Sequence, residues 1–259
     1  MKQSLYTITE NTQLTPSTWR MKLKGDVSAV TAPGQFIDIR LDEHFLRRPI
    51  SVCDVEGCDD PAGAVTIIYK VLGQGTEEMT RLAPGAELDV LTGLGNGYDL
   101  NDAGERPLLI GGGVGIPPLY LAAKKLLQTA NVKSVTVILG FNTAEEMYYV
   151  DEFKALGCEV VLATADGSFG TRGFVTDAFA ELLERGAGFT HFYTCGPGPM
   201  LKAVYGKVYK EAGIRGQMSF EERMGCGFGA CMGCSCKTVT GYKRICKDGP
   251  VLRTEELLW

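Results

Sequence analysis

Hydrophobic and polar positions change their rhythm twice along the chain. In Trp19-Arg20-Met21-Lys22-Leu23-Lys24 apolar and basic residues alternate strictly, the period of a half-buried antiparallel strand. Similar runs at Phe36 to Leu41, Ile50 to Val55, Val65 to Leu72 and Leu88 to Leu91 are separated by turn residues at Thr31-Ala32-Pro33-Gly34, Asp59-Asp60-Pro61 and Ala83-Pro84-Gly85. This spacing predicts a small antiparallel barrel with one short helix, Thr76 to Leu82, capped by Thr76 and carrying Glu77 and Glu78 in its first turn. Past Asn101 to Glu105, apolar strands at Leu108 to Ile110, Val135 to Leu139, Val160 to Ala163 and His191 to Cys195 take over. They alternate with helical segments at Leu119 to Leu127, Ala144 to Leu156, Val175 to Leu183 and Met200 to Ala212, the signature of βαβ units and a parallel sheet. From Ser219 the rhythm fades into a short tail rich in glycine and cysteine. The expected architecture is β plus α/β in three units, residues 1–102, 103–217 and 218–259.

A chain of 259 residues, 45% hydrophobic and 22% charged, can bury a sizeable core and does not have the composition of a disordered protein. The formal net charge of -5 argues against a general nucleic-acid binder, which needs a concentrated basic surface. Pro107 to Ala123 is seventeen residues without a charge, but four glycines and three prolines make it strand, loop and helix, so no membrane span is expected. The N-terminal MKQSLYTITENT lacks the apolar core of a secretory signal, so a cytoplasmic location with reduced thiols is expected. Two counts stand out: 33 glycines, and nine cysteines of which five fall within the 21 residues from Cys226 to Cys246. An odd, clustered set suggests metal or redox chemistry rather than a disulfide scaffold.

Cys226, Cys231 and Cys234 follow the spacing C-x4-C-x2-C, with Cys246 further on, the plant-type ligand pattern of a 2Fe-2S cluster. Gly225, Gly227, Gly229 and Gly233 lie between or beside the thiolates and let the loop wrap closely. A four-cysteine zinc site is the alternative, although zinc spacing usually repeats a C-x2-C knuckle twice. Cys236 breaks the pattern and reads as a buried or spare thiol, and Cys53, Cys58 and Cys158 as isolated structural thiols. Arg47-Arg48-Pro49-Ile50-Ser51 offers a guanidinium suited to pyrophosphate and a hydroxyl suited to a flavin ring edge. Ile68-Tyr69-Lys70 leads into Gly73-Gln74-Gly75-Thr76, a glycine turn opening a helix; together the two motifs describe a diphosphate held between strands and a helix.

Gly111-Gly112-Gly113-Val114-Gly115 sits between a strand and a helix as a dinucleotide loop does. It is not a true G-x-G-x-x-G, because Pro118 occupies the third glycine position, and no acidic residue ends the second strand at Gly140-Phe141-Asn142. Cys195-Gly196-Pro197-Gly198-Pro199-Met200 also joins a strand to a helix, with Pro199 in its first turn. His44 and His191 read as structural, and Glu145-Glu146 and Glu221-Glu222 as solvated faces.

The order R-P-x-S, G-x-G-T, G-G-G-x-G-x-x-P and C-G-P-x-P-M resembles the ferredoxin reductase superfamily, which pairs an FAD-binding barrel with a pyridine-nucleotide domain. The tail from Ser219 to Cys234, with Cys246-Lys-Asp-Gly-Pro-Val251, is similar to the electron-transfer subunits of NAD-dependent (class 1B) dihydroorotate dehydrogenases, and the likeness covers essentially the whole chain. The resemblance implies that Arg48, Pro49, Ile50, Ser51, Ile68, Tyr69, Lys70, Gly75 and Thr76 contact FAD. It implies that Gly111, Gly112, Gly113, Gly115, Cys195, Gly196, Pro197, Pro199 and Met200 hold NAD(H), and that Cys226, Cys231, Cys234 and Cys246 ligate the cluster. Ser51 and Cys195 are the expected catalytic contacts, near the flavin N5 and the nicotinamide. The implied partner is an FMN-containing catalytic subunit that oxidises dihydroorotate in pyrimidine synthesis, two copies of each subunit forming a heterotetramer. A reductase subunit serving ferredoxin, sulfite or another redox partner is the rival enzyme, and a redox sensor or zinc-containing interaction protein the rival of another class.

Overall fold

The computed structural model describes residues 1–57 and 63–259; Cys58 and the Asp59-Asp60-Pro61 turn lie outside the described residues. Strands β1 (Lys2–Thr15), β2 (Thr18–Lys24), β3 (Phe36–Ile39), β4 (Arg48–Glu56), β5 (Ala64–Lys70) and β6 (Glu87–Leu94) close into a barrel in the order β1-β2-β5-β4-β3-β6. Closure leaves no open sheet edge in this half of the molecule. The alternation in β2 is realised: Met21 and Leu23 are fully buried among Ile37, Ile39, Val52, Ile67 and Tyr69.

Helix α1 (Gln74–Thr80) follows β5 and starts earlier than expected. Gly73, not Thr76, is the N-cap, and Thr76 sits at the third helical position. From there its Oγ1 accepts the N–H of Leu72 at 2.9 Å and of Gly73 at 3.2 Å, so the hydroxyl caps the turn from inside the helix.

The second half is built on β7 (Leu108–Gly112), α2 (Pro117–Leu126), β8 (Thr136–Phe141), α3 (Val150–Leu156), β9 (Glu159–Thr164), β10 (Thr171–Arg172), α4 (Val175–Glu184), β11 (Phe192–Cys195), α5 (Gly198–Val204) and β12 (Gly216–Ser219). A hairpin of β13 (Ser235–Thr238) and β14 (Gly241–Arg244) comes next, and then β15 (Val251–Arg253). The sheet order is β10-β9-β8-β7-β11-β12-β15, parallel except for the β12–β15 pair. The chain moves outward from β7 in one direction and then resumes on its other side at β11, so the order reverses between these two strands. Ligands of open α/β sheets bind at the carboxyl ends of such a switch point. Among the described residues no helix is long and apolar enough to cross a membrane.

Two helical expectations are corrected. Ala144 to Leu156 is not one helix: a single turn at Ala144–Glu146 is followed by Tyr149 at φ 63°, and only then by α3. Tyr148 and Tyr149 are both buried, and the left-handed backbone at Tyr149 separates the single turn from α3. Tyr149 packs edge-on to Tyr120, while the Tyr148 hydroxyl donates to the Gly113 carbonyl at 2.7 Å. Met200 to Ala212 is helical throughout, but from Tyr205 to Glu211 it widens to a π-helix, with the Ala212 N–H reaching the Lys207 carbonyl at 3.1 Å.

Candidate redox and nucleotide site

A cleft of 1090 Å³ runs between the barrel and the carboxyl end of the second sheet. One wall is β4: Arg48, Pro49, Ile50 and Ser51 all line it, and the end of β5 adds Ile68, Tyr69 and Lys70. Gly75 and Thr76 of α1 complete that wall. The two arginines of this segment are divided by their partners. Arg47 also lines the cleft but is tied to the barrel, bonding Asp89 Oδ1 at 3.0 Å and the Asp89 carbonyl at 3.0 Å. Arg48 turns to the cleft, donates to the Leu46 carbonyl at 2.5 Å, and lies flat against Gly75, where a Cβ would stand 2.2 Å from its Nε. Glycine at 75 is therefore a spatial requirement for the guanidinium. The Tyr69 ring belongs to the barrel core and donates its hydroxyl to Asn11 Oδ1 at 3.0 Å; burial, partly offset by Asn11, pushes that phenol up to about 12. Tyr69 thus shapes the cleft without presenting an acid to it.

The opposite wall comes from the two glycine-rich turns. Gly112, Gly115, Cys195, Gly196 and Pro197 line the cleft; Gly111, Gly113, Pro199 and Met200 do not. Those four act from behind. A Cβ on Gly111 would crowd Ile116, and Gly113 takes φ 52° and receives Tyr148. Pro199 opens α5, and the Met200 side chain fills the space that Cβ atoms on Gly112 and Gly196 would otherwise occupy, 2.4 Å away in each case. Cys195 stands on β11 opposite Gly111 of β7 and Ser219 of β12. Burial, moderated by a hydrogen bond with Ser219, pushes its thiol up to about 12, so it meets the cleft as a neutral group rather than as a thiolate.

Beyond the far end of the cleft, where Arg223, Met224 and Pro250 line it, lies the cysteine loop. Gly227 and Gly229 take φ values of 74° and 92°, and Met232 joins them in the left-handed region at 62°. The turn aims backbone N–H groups at sulfur: Ala230 N–H donates to Cys226 Sγ at 3.2 Å, Gly233 N–H to Cys231 Sγ at 3.5 Å, and Cys246 N–H to Cys234 Sγ at 3.4 Å. Burial works to raise the Cys226 thiol, but the N–H groups of Cys231, Phe228 and Ala230 together lower it to about 6. Backbone hydrogen bonds link Cys231 to the Cys226 sulfur and Cys246 to the Cys234 sulfur, and among the described residues no three such ligands converge on a single ion position. Four soft donors in one lobe, with backbone N–H groups aimed at their sulfurs, fit an iron-sulfur cluster.

The profile of the iron-sulfur cluster binding domain of dihydroorotate dehydrogenase B matches residues 221–258, and that of the oxidoreductase NAD-binding domain matches residues 109–205. The chain is 45% identical to the electron transfer subunit of dihydroorotate dehydrogenase B (NAD(+)) from Fusobacterium nucleatum, over 97% of this chain and 96% of that one. It is 41% identical to the same subunit from a Geobacillus species, over 100% and 99%. The chain belongs to this family of electron-transfer subunits. A solved NADH-dependent reduced ferredoxin-NADP oxidoreductase, studied for flavin-based electron bifurcation, matches with a TM-score of 0.87 at 33% identity, over 99% of this chain and 90% of that one. A ferredoxin NADP+ reductase from Neisseria gonorrhoeae with bound FAD and NADP shares the fold, with a TM-score of 0.70 at 17% identity over 86% and 94% of the two chains.

As a dihydroorotate dehydrogenase B electron-transfer subunit, the chain is part of an NAD-dependent oxidoreductase and contains an iron-sulfur domain and an NAD-binding domain. Three residues read from the sequence as structural or solvated also belong to the cleft. Glu221 and Glu222 are exposed but line the cleft, and His44 stands at its rim with Nε2 3.0 Å from Glu78 Oε2. Cys236 is half-buried beside the cysteine loop and lines an adjoining cavity of 310 Å³ with Phe220 and Trp259. Cys53 and Cys158 are buried, as isolated structural thiols should be.

Proposed function

We propose that this subunit passes electrons between the FMN of a dihydroorotate-oxidising catalytic subunit and NAD, using a 2Fe-2S cluster and FAD, in a heterotetramer of two catalytic and two electron-transfer subunits. Residues 1–102 form the FAD unit, 103–217 the NAD unit and 218–259 the cluster unit. The observation that carries this reading is a single cleft: all nine residues assigned to FAD and five of the nine assigned to NAD(H) line it, and Arg223, Met224 and Pro250, which flank the four-cysteine loop in the chain, line its far end. Cys226, Cys231, Cys234 and Cys246 hold the cluster, Arg48 receives the flavin diphosphate, and the Gly111–Gly115 and Cys195–Met200 turns receive the nicotinamide nucleotide. A flavin, when bound, exchanges hydride with nicotinamide and single electrons with a cluster, which a 2Fe-2S centre alone cannot do.

The protein's own residues bind and orient. Ser51 lines the cleft on β4, where its hydroxyl would be available to hydrogen-bond the edge of a bound flavin, near N5. Cys195, held neutral, lines the nicotinamide side without competing as a nucleophile. The reading is tested by co-purification of the full complex under anaerobic conditions. Two irons and two labile sulfides per chain, one FAD, and dihydroorotate-dependent reduction of NAD are expected; a colourless zinc protein defeats it.

A second reading, a reductase subunit serving ferredoxin, sulfite or another redox partner, is favoured by the 33% identity to the ferredoxin-NADP oxidoreductase chain. Capture of an FMN protein that oxidises dihydroorotate separates the two.

A further inference from the structure

Strand β3 is four residues long and every one of them is buried. Ile37 and Ile39 belong to the barrel core, so alternation turns Phe36 and Asp38 to the outer face. There Phe36 joins the core that contains Cys234 and Cys246 and also lines the cleft. Asp38 meets the turn that follows Cys226: a Cβ on Gly227 would stand 2.3 Å from Asp38 Oδ2. In the β3–β4 ladder Asp38 pairs with Pro49 and Phe36 with Ser51, the strand that walls the flavin side of the cleft. Asp38 therefore occupies the partition between the flavin cleft and the cysteine loop.

Its carboxyl group is 2% exposed and Oδ1 has no hydrogen-bond partner. A buried polar group left in that state is uncommon and costly. The neighbouring guanidinium groups of Arg47 and Arg48 offset part of its charge from a distance but form no ion pair with it. Arg47 spends Nη1 on the Asp38 and Asp89 carbonyls and Nη2 on Asp89 Oδ1, and Arg48 faces Leu46 and Gly75. What the carboxylate faces instead is backbone of the cluster loop, held close by a glycine at φ 74°.

We propose that Asp38 is a positioning residue for one-electron traffic, whose buried carboxylate lowers the reduction potential of the iron-sulfur centre held by the adjoining loop. A reduced cluster carries one more negative charge than an oxidised one, and a buried anion disfavours that charge strongly because the local dielectric is low. Net charge and hydrogen bonding around the sulfurs are the protein's levers on such potentials. The inference rests on the four cysteines holding the cluster.

The test is an EPR-monitored redox titration of the full complex at pH 8, comparing wild type with Asp38→Asn and Asp38→Glu. An upward shift of the cluster potential in Asp38→Asn, with unchanged iron content and g-values, a smaller shift at FAD, and little shift in Asp38→Glu, is the expected result. An unchanged potential in an intact Asp38→Asn cluster overturns the proposal. If that variant assembles no cluster, Asp38→Ala is read in the same way, and loss of the cluster from both means the role is structural and also overturns it. Absence of any iron-sulfur EPR signal from the wild type would instead defeat the assignment of the cysteine loop.

Discussion

Gly115 lies so close to Cys195 that a β-carbon at position 115 would stand 2.2 Å from the Cys195 carbonyl oxygen. The obstacle is backbone, with the Gly196 nitrogen at 2.5 Å, so no rotamer change relieves it. Gly115→Ala is expected either to destabilise the fold by about 1–3 kcal/mol, the usual range for overpacking, or to force the two turns apart. The readouts are a urea melt and the KM for NADH with a dye acceptor, and retained flavin with a raised KM is the expected pattern. Gly113→Ala is the control: nothing lies within 4 Å of its Cβ, and only the positive φ of 52° is strained. Equal, wild-type behaviour of both variants would contradict the close approach.

Arg48 supplies a guanidinium to the cleft, and Gly75 makes the room for it. Losing a charge-assisted hydrogen bond costs about 1.5–3 kcal/mol, so Arg48→Ala is expected to weaken FAD roughly 10- to 100-fold. Flavin fluorescence during titration of the stripped protein measures it. Gly75→Ala, which displaces Arg48 without removing it, is expected to act in the same direction. Arg47→Ala should lower stability through loss of the Asp89 pair rather than flavin affinity.

Cys234 and Cys246 are buried and joined by the Cys246 N–H bond to Cys234 Sγ, whereas Cys236 lines a cavity that adjoins the cleft. Cys246→Ser is expected to abolish the visible absorbance and labile sulfide, and Cys236→Ser to leave both intact. Loss of the cluster from the Cys236 variant would reassign the fourth ligand.

Burial holds His191 below its ordinary value, with Asp102 offsetting part of the effect. The native ring stays neutral to lower pH than the unfolded one, so its contribution is present above about 6.5 and is lost as pH falls through the native value. Wild-type stability should decline from pH 7.5 toward pH 5, and His191→Asn should flatten that part of the decline. Urea melts across this interval decide the matter; parallel curves for the two proteins would exclude His191 as the source.

The features readable in the sequence were those encoded by local spacing. Alternation in Trp19–Lys24 and the βαβ rhythm after Leu108 depend on a few neighbouring residues, as do the glycine turns and the C-x4-C-x2-C run. What escaped depends on distant partners. The break before α3 falls at Tyr149, whose ring packs on Tyr120 of a different helix. Thr76 caps from the third position because Gly73 can serve as the N-cap. Asp38 gives no signal inside Phe36–Ile39, since its isolation is created by Gly227, far away in the chain.

The pairing of β15 with β12 has a mechanical consequence for the cysteine lobe. Val251 sits opposite Ser219 and Leu252 opposite Met218, so the lobe departs from the nucleotide-binding sheet and re-enters it at the neighbouring strand. It is an excursion anchored at both feet, not a hinged appendage. Its place beside the cleft is therefore held from two adjacent strands of the sheet, and the lobe cannot swing as a body about a single tether.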